Sequence, residues 1–245
     1  MADRADVFLS ESRANAALMA GDAKAVQAGF DFVSTTAPHK YAYNFTWMGR
    51  PIIQFPQDML AMQEIIWELK PDLIVETGIA HGGSVLYYAS ILELIGHGEV
   101  IGIDVDVRKS NREAIEAHPM NKRLRMIEGS SVDVSTIEQV QAAARGKRAI
   151  VVLDSNHSHE HVLAELAAYA PLVCLGGYCV VMDTVIEDMP SYLYENGDRP
   201  WGRGNSPKTA VSEFLSIHTE FEVDISIQQR LLITVAPGGY LRRVG

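Results

Sequence analysis

The chain of 245 residues is poor in cysteine, in clustered positive charge and in long apolar runs. Its two cysteines, Cys174 and Cys179, lie close together in a segment predicted to be buried. Such a pair makes neither a disulfide framework nor a complete zinc site, and a reduced, cytoplasmic setting is the expectation. The net charge is −10 and no basic stripe interrupts it, which argues against a nucleic-acid substrate gripped by its phosphates. The longest apolar stretch, Gly176 to Met182, has the length of a strand, so stable membrane insertion is not expected. No basic flank with a following apolar core opens the chain, as a signal peptide would require, and no repeat or low-complexity tract occurs. What remains is an ordinary globular composition, 47% apolar and 21% charged, with ample length for a core.

One stretch organises the rest. Leu73-Ile74-Val75 is an apolar run, Glu76 to Ser84 is glycine-rich, and Val85 to Ile95 is amphipathic. That pattern predicts a strand, a tight turn and a helix start. A second run, Val100 to Ile103, ends in Asp104. In open α/β sheets this arrangement holds a nucleoside, the glycines admitting the ligand and the acid taking ribose hydroxyls. Gly78, Gly82 and Gly83 do not follow the G-x-G-x-x-G spacing of a pyrophosphate site, and Glu76 would repel phosphate while suiting a cation. S-adenosylmethionine, positive and free of phosphate, is therefore the expected ligand. A βα turn with no ligand is the bland alternative.

Residues 1–35 read as two helical stretches, and 39–56 as an irregular aromatic segment able to cover a cleft or simply to pack. Together, residues 1–56 are expected to form an arm or lid, one that makes a homo-oligomer plausible. A second, ligand-binding domain follows over 57–245, opening with a helix at 57–69. Strands are predicted at 72–77, 99–104, 123–128, 149–154 and 177–183, and helices at 82–95, 108–117, 135–145 and 159–170. This alternation implies a parallel sheet covered on both faces. A long polar segment, 184–205, carries Tyr192, Tyr194 and Trp201; loops of this length are usually functional or disordered. Ser206-Pro207 opens a helix to Ile217, and 221–225 with 231–236 reads as an antiparallel hairpin.

Ligands sit beyond the carboxyl ends of such strands. There the sequence places Glu76, Asp104, Ser130 and Ser131, Asp154 with His157, and Asp183. Gathered carboxylates repel one another, and a divalent cation between Asp154 and Asp183 would relieve them; Mg²⁺ prefers such oxygen ligands. His157, one turn from Asp154, could face that cation and take a proton from a hydroxyl. The run His157-Ser158-His159-Glu160-His161 also invites a zinc-hydrolase reading, but 159 points away from 157 and 161 on a helix. His159 reads best as solvated.

The run Val152 to Leu166, centred on Asp154-Ser155-Asn156-His157, resembles the cephalosporin hydroxylase-like and rhamnosyl O-methyltransferase family. So do Val75 to Gly78 with Gly82-Gly83-Ser84, Tyr178 to Thr184, and Ala236 to Leu241, over roughly residues 40–243. The resemblance implies a class I S-adenosylmethionine-dependent methyltransferase of Rossmann-like α/β fold: a seven-stranded, mostly parallel sheet with a C-terminal antiparallel hairpin. It further implies Mg²⁺-dependent O-methylation of a sugar or other natural product. Asp154 and Asp183 would hold the metal and His157 would be the base. Glu76, Gly78, Ser84, Asp104, Ser130, Ser131 and Asp154 would face the cofactor. One departure stands out: the family places an acid before the strand-five aspartate, and this chain has Met182. Either Glu187, Asp188 or water completes the shell, or the metal binds weakly. Two alternatives remain at this level: an NAD(P)-dependent oxidoreductase on a similar sheet, or a hydroxylase, as the family name suggests.

Overall fold

A computed structural model describes residues 3–193 and 199–245. The seven-stranded sheet has the order β5-β4-β3-β6-β7-β9-β8. Its strands are β3 (Leu73–Thr77), β4 (Glu99–Asp104), β5 (Leu124–Glu128), β6 (Ala149–Leu153), β7 (Tyr178–Val181), β8 (Phe221–Val223) and β9 (Tyr240–Arg243). Only β9 runs against its neighbours, antiparallel to both β7 and β8. All five residues of β3 and of β6 are buried, as central strands covered on both faces must be.

Alternate side chains feed two cores. Ile74 and Ile150 face α3 (Pro56–Leu69) and α4 (Gly83–Ile95) through Met62, Ile66 and Leu86, with α5 (Lys109–Glu116) adding Ile115. Val75 and Val151 face α6 (Val134–Ala144), α7 (His159–Tyr169) and α8 (Pro207–Ile217) through Val140, Leu166 and Phe214. The strand order reverses between β3 and β6, so the crevice of the sheet opens between their carboxyl ends. There the Asp154 amide donates to the Thr77 carbonyl at 2.9 Å. Two N-terminal helices, α1 (Arg4–Gly21) and α2 (Ala23–Thr36), precede the sheet. Val33 of α2, with Phe55, Val185 and Met189, forms a third core cluster.

Two expectations need correction. Residues 231–236 do not form the last strand. Asp224 accepts from the Ser226 amide and opens a helix, α9 (Ile225–Leu231), across the expected turn. The extended residues after it are tied to Asp58, whose carboxylate accepts from Thr234 Oγ1 at 2.5 Å and Val235 N at 2.9 Å. Gly238, at φ 77°, then turns the chain into β9. The segment 39–56 is also less irregular than expected. It contains a hairpin, β1 (Phe45–Trp47) and β2 (Arg50–Ile52), closed by Met48 and Gly49, both at positive φ.

Candidate active site

The turn after β3 is fixed from three sides. Gly78 has φ 92°, and a Cβ there would overlap the Asp154 carbonyl, so glycine is the residue that fits. Its amide donates to the Ile103 carbonyl at 2.7 Å. Asp104 Oδ2 accepts from the amides of Ile79 (2.8 Å) and Ala80 (3.1 Å), and Oδ1 from Asp106 N (3.1 Å). Arg50, on β2, donates to the His81 carbonyl (2.8 Å) and to Asn111 (3.0 Å), whose amide group in turn holds the Ala80 carbonyl.

Below the turn Glu76 is wholly buried. Ser84 Oγ donates to its Oε2 at 2.7 Å, while Oε1 has no hydrogen-bond partner. Burial pushes this carboxyl up to about 8; hydrogen bonds from Ser84 and, more loosely, from the nearby Tyr88 hydroxyl oppose the shift, and the Asp104 charge adds to it. Gln54, 2% exposed, likewise keeps Oε1 unpartnered while its Nε2 donates to Tyr88. A buried acceptor without a donor is costly, so Gln54 Oε1, on the cavity wall, suits a ligand N–H or O–H.

Three cavities meet here. One of about 300 Å³ runs along the turn from Gly78 to Ser84 and reaches Asp154, Ser155 and Gln54. A second, about 210 Å³, lies between Asp104, Gly129, Ser131 and Asn156, and shares Gly78, Ser155 and Trp201 with the first. The third, about 380 Å³, lies under Tyr41, Tyr43 and Phe55 and is lined by Ile186, Met189 and Trp201. Asp154, His157 and Asp183 line both the first and the third. One ligating atom from each of these three residues lies within 4.8 Å of the others. His157 Nε2 is 3.2 Å from Asp183 Oδ2. Burial raises the Asp154 carboxyl well above the ordinary range, and the charge of Asp183 raises it further. Asp183 itself sits in the left-handed region at φ 57°, unusual for an aspartate, just past β7.

The profile of the Rhamnosyl O-methyltransferase/CmcI family matches residues 39–244. The chain belongs to that family. It is, with the family, an S-adenosylmethionine-dependent O-methyltransferase, which sets aside the oxidoreductase and hydroxylase alternatives. The rhamnosyl O-methyltransferase of Mycobacterium bovis (strain BCG / Pasteur 1173P2) is 31% identical over 217 residues, 84% of this chain and 83% of the relative. That of Mycobacterium leprae (strain TN) is 31% identical over 214 residues, 84% of this chain and 88% of the relative. Among solved structures, CmcI with Mg and SAM superposes with TM-score 0.57 at 22% identity, covering 83% of this chain and 78% of that one. An O-methyltransferase from Bacillus cereus in complex with SAH superposes with TM-score 0.50 at 13% identity, covering 80% of each chain. The folds agree: a class I methyltransferase sheet with its reversed C-terminal strand.

In this methyltransferase the residues proposed from sequence divide. Gly78, Ser84, Asp104, Ser131 and Asp154 line the paired cavities along the turn, and Glu76 lies just beneath Ser84. Ser130 lines none of the cavities described; its Oγ accepts from the Val132 amide at 3.4 Å. The two acids suggested to complete the metal shell are committed elsewhere. Glu187 Oε2 accepts from Gly204 N and Ser206 Oγ, and Asp188 pairs with Lys208 at 2.6 Å. His157 lies beside the two aspartates. The three histidines of the zinc reading diverge. His157 meets Asp183, and His161 meets Ser131 Oγ at 3.0 Å. His159, expected in solvent, bridges to Thr209 (2.8 Å) and Glu213 (3.1 Å) on α8. Of the three loop aromatics, Trp201 lines all three cavities and Tyr192 is exposed; Tyr194 lies outside the described residues.

Sequence reasoning missed a polar floor under the second cavity. Ser155 Oγ donates to the fully buried Glu165 Oε1 at 2.7 Å, and His161 Nε2 lies 3.3 Å from Ser155 Oγ and 3.4 Å from Glu165 Oε1. Its one signal was the spacing of His161 and Glu165, one helical turn apart. Gln54 was hidden in a segment read as aromatic packing.

Proposed function

We propose that this O-methyltransferase acts on a hydroxyl of a sugar or glycosylated natural product, with His157 as general base and Mg²⁺ held by Asp154 and Asp183. The rhamnosyl O-methyltransferase relatives support a sugar acceptor. The observation that carries the reading is the position of Asp154, His157 and Asp183 on the wall between the first and third cavities. The methyl donor would lie along Gly78 to Ser84. Its ribose would reach the Asp104 carboxylate, whose orientation three backbone amides already fix, and its adenine would rest near Ser131. Its cationic methionine end would meet the unpartnered oxygen of Gln54, with the Glu76 carboxyl behind Ser84.

The donor set suits a divalent cation: two carboxylates, Asp154 raised by burial and then by the charge of Asp183, with no Lys or Arg paired to either among the described residues. A cation held there would supply positive charge that lowers the pKa of an acceptor hydroxyl. His157 would take that proton at a ring nitrogen, and Asp183, whose Oδ2 is 3.2 Å from Nε2, would stabilise the imidazolium that results. Trp201 packs edge-on against the imidazole, with ring centroids 5.0 Å apart, fixing its plane and excluding water from one side. Residues 1–56 serve as arm and lid: Tyr41, Tyr43 and Phe55 roof the acceptor cavity. Helix α1 has no buried residue and exposes Phe8 and Leu18, which supports a homo-oligomer. No described helix is long and apolar enough to cross a membrane.

The test is transfer of labelled methyl from S-adenosylmethionine to a panel of glycosides, with and without chelator. Label should enter a sugar hydroxyl, vanish with chelator and return with Mg²⁺. Transfer that is indifferent to chelation would remove the metal from this account.

A further inference from the structure

The acceptor cavity has a polarity of its own. Its only carboxylates, among the described residues, are Asp154 and Asp183 at the wall shared with the donor cavity. Two exposed cations, Lys40 and Arg199, complete its rim. Each lies over an aromatic ring that also lines the cavity: Lys40 Nζ is 5.8 Å from the Tyr43 ring centre, and Arg199 Cζ is 5.5 Å from that of Trp201. Neither has a carboxylate within 4.0 Å among the described residues, in a chain with 31 acidic and 21 basic side chains. Lys40 is held in place by a tight turn at φ 52°, its amide donating to the Ala37 carbonyl and its carbonyl accepting from the Tyr43 amide, both at 2.9 Å. On the same cavity Gln54 presents a buried oxygen that lacks a donor.

Resting on the methyltransferase reading, we propose that the acceptor is an anionic sugar: a pyranose carrying a carboxylate or phosphate that Lys40 and Arg199 bind. A cation stacked on a ring keeps its outward N–H groups for a second partner, and a carboxylate or phosphate fills them with charge-assisted hydrogen bonds. Tyr43 and Trp201 line the cavity and offer ring surface to the sugar's C–H groups. The cavity volume of about 380 Å³ lies within the range of small-ligand sites and admits a monosaccharide with its charged substituent. A neutral glycoside would leave both cations without a carboxylate partner among the described residues.

The experiment is calorimetric titration of the full chain, preloaded with S-adenosylhomocysteine and Mg²⁺. Its probes are para-nitrophenyl hexuronides, hexose phosphates and the matching neutral sugars. At least one anionic series should bind at least about tenfold more tightly than its neutral counterpart, and which one does so tells carboxylate from phosphate. Both cations are exposed, so K40Q and R199Q should fold; each should reduce the preference and the double variant should erase it. K40Q should leave S-adenosylhomocysteine affinity unchanged, since Lys40 lines only the acceptor cavity. Equal binding of neutral and anionic sugars, no binding of either, or a preference surviving the double variant would overturn the proposal. So would an R199Q chain that loses S-adenosylhomocysteine yet keeps the preference, because Arg199 also lines the donor cavity. Failure of the wild-type chain to bind S-adenosylhomocysteine at all would instead strike the reading beneath it.

Discussion

His157 Nε2 faces Asp183 Oδ2 across 3.2 Å, and both side chains line the donor and the acceptor cavities. The imidazole comes from the loop after β6 and the carboxylate from the end of β7, so parallel pairing of those strands brings the two together. Replacing His157 by alanine should lower kcat at least ~100-fold, the usual effect of losing a general base, with S-adenosylhomocysteine affinity unchanged. Stopped-flow or steady-state methyl transfer beside a binding titration measures both; turnover near wild type would remove the base from the mechanism.

Glu76 provides a proton-linkage prediction. Its carboxyl is held near 8 in the free protein, so it is mostly protonated at pH 7. A cationic donor bound beside it favours the charged form and lowers that value, so binding should release up to about one proton. Calorimetry at pH 7 in two buffers of different ionisation enthalpy should give apparent binding enthalpies that differ accordingly. Glu76→Gln should reduce the difference, and buffer-independent enthalpies in the wild type would contradict the assignment.

Asp58 bears on stability rather than catalysis. Burial raises its carboxyl to about 6, against hydrogen bonds from Thr234, Val235 and Tyr240 that hold it down. The folded state therefore binds this proton more tightly than the unfolded chain. The resulting stabilisation is fully present below pH about 4, near the unfolded value, and is lost as pH rises through about 6. The shift of about two pKa units corresponds to roughly 3 kcal/mol. Urea unfolding of the wild type and Asp58→Asn across this window should show their stability gap changing by that order, in the direction that costs the wild type at higher pH. Parallel curves would contradict the shift.

The same residue explains why part of the fold was illegible in the sequence. Leu231 to Ala236 is an apolar run of strand length, but Thr234 and Val235 bond Asp58, which precedes Thr234 by 176 positions, and no local pattern reports such a partner. Glu187 looked free to bind a metal for a similar reason: Gly204 and Ser206, which claim it, lie 17 and 19 residues further along the chain. The β3 turn, by contrast, was legible because its constraints are local. An apolar strand, a glycine at positive φ and an acid closing β4 each leave a mark on the residue type itself.

Gly78 should be intolerant of any side chain. Alanine there combines a positive φ with overlap of the Asp154 carbonyl, at a cost of about 1–3 kcal/mol or more. A lowered Tm together with loss of S-adenosylhomocysteine binding is expected of Gly78→Ala; wild-type values for both would show that the backbone approach is not needed.

The account's central claim is that donor and acceptor meet at Asp154, His157 and Asp183. Anomalous diffraction from a crystal holding S-adenosylhomocysteine and Mn²⁺, in place of Mg²⁺, tests it most directly. The account predicts a manganese peak about 2 Å from oxygens of Asp154 and Asp183, with the nucleoside along Gly78 and Ser131. A peak at other residues, or a nucleoside outside the crevice between β3 and β6, would contradict it.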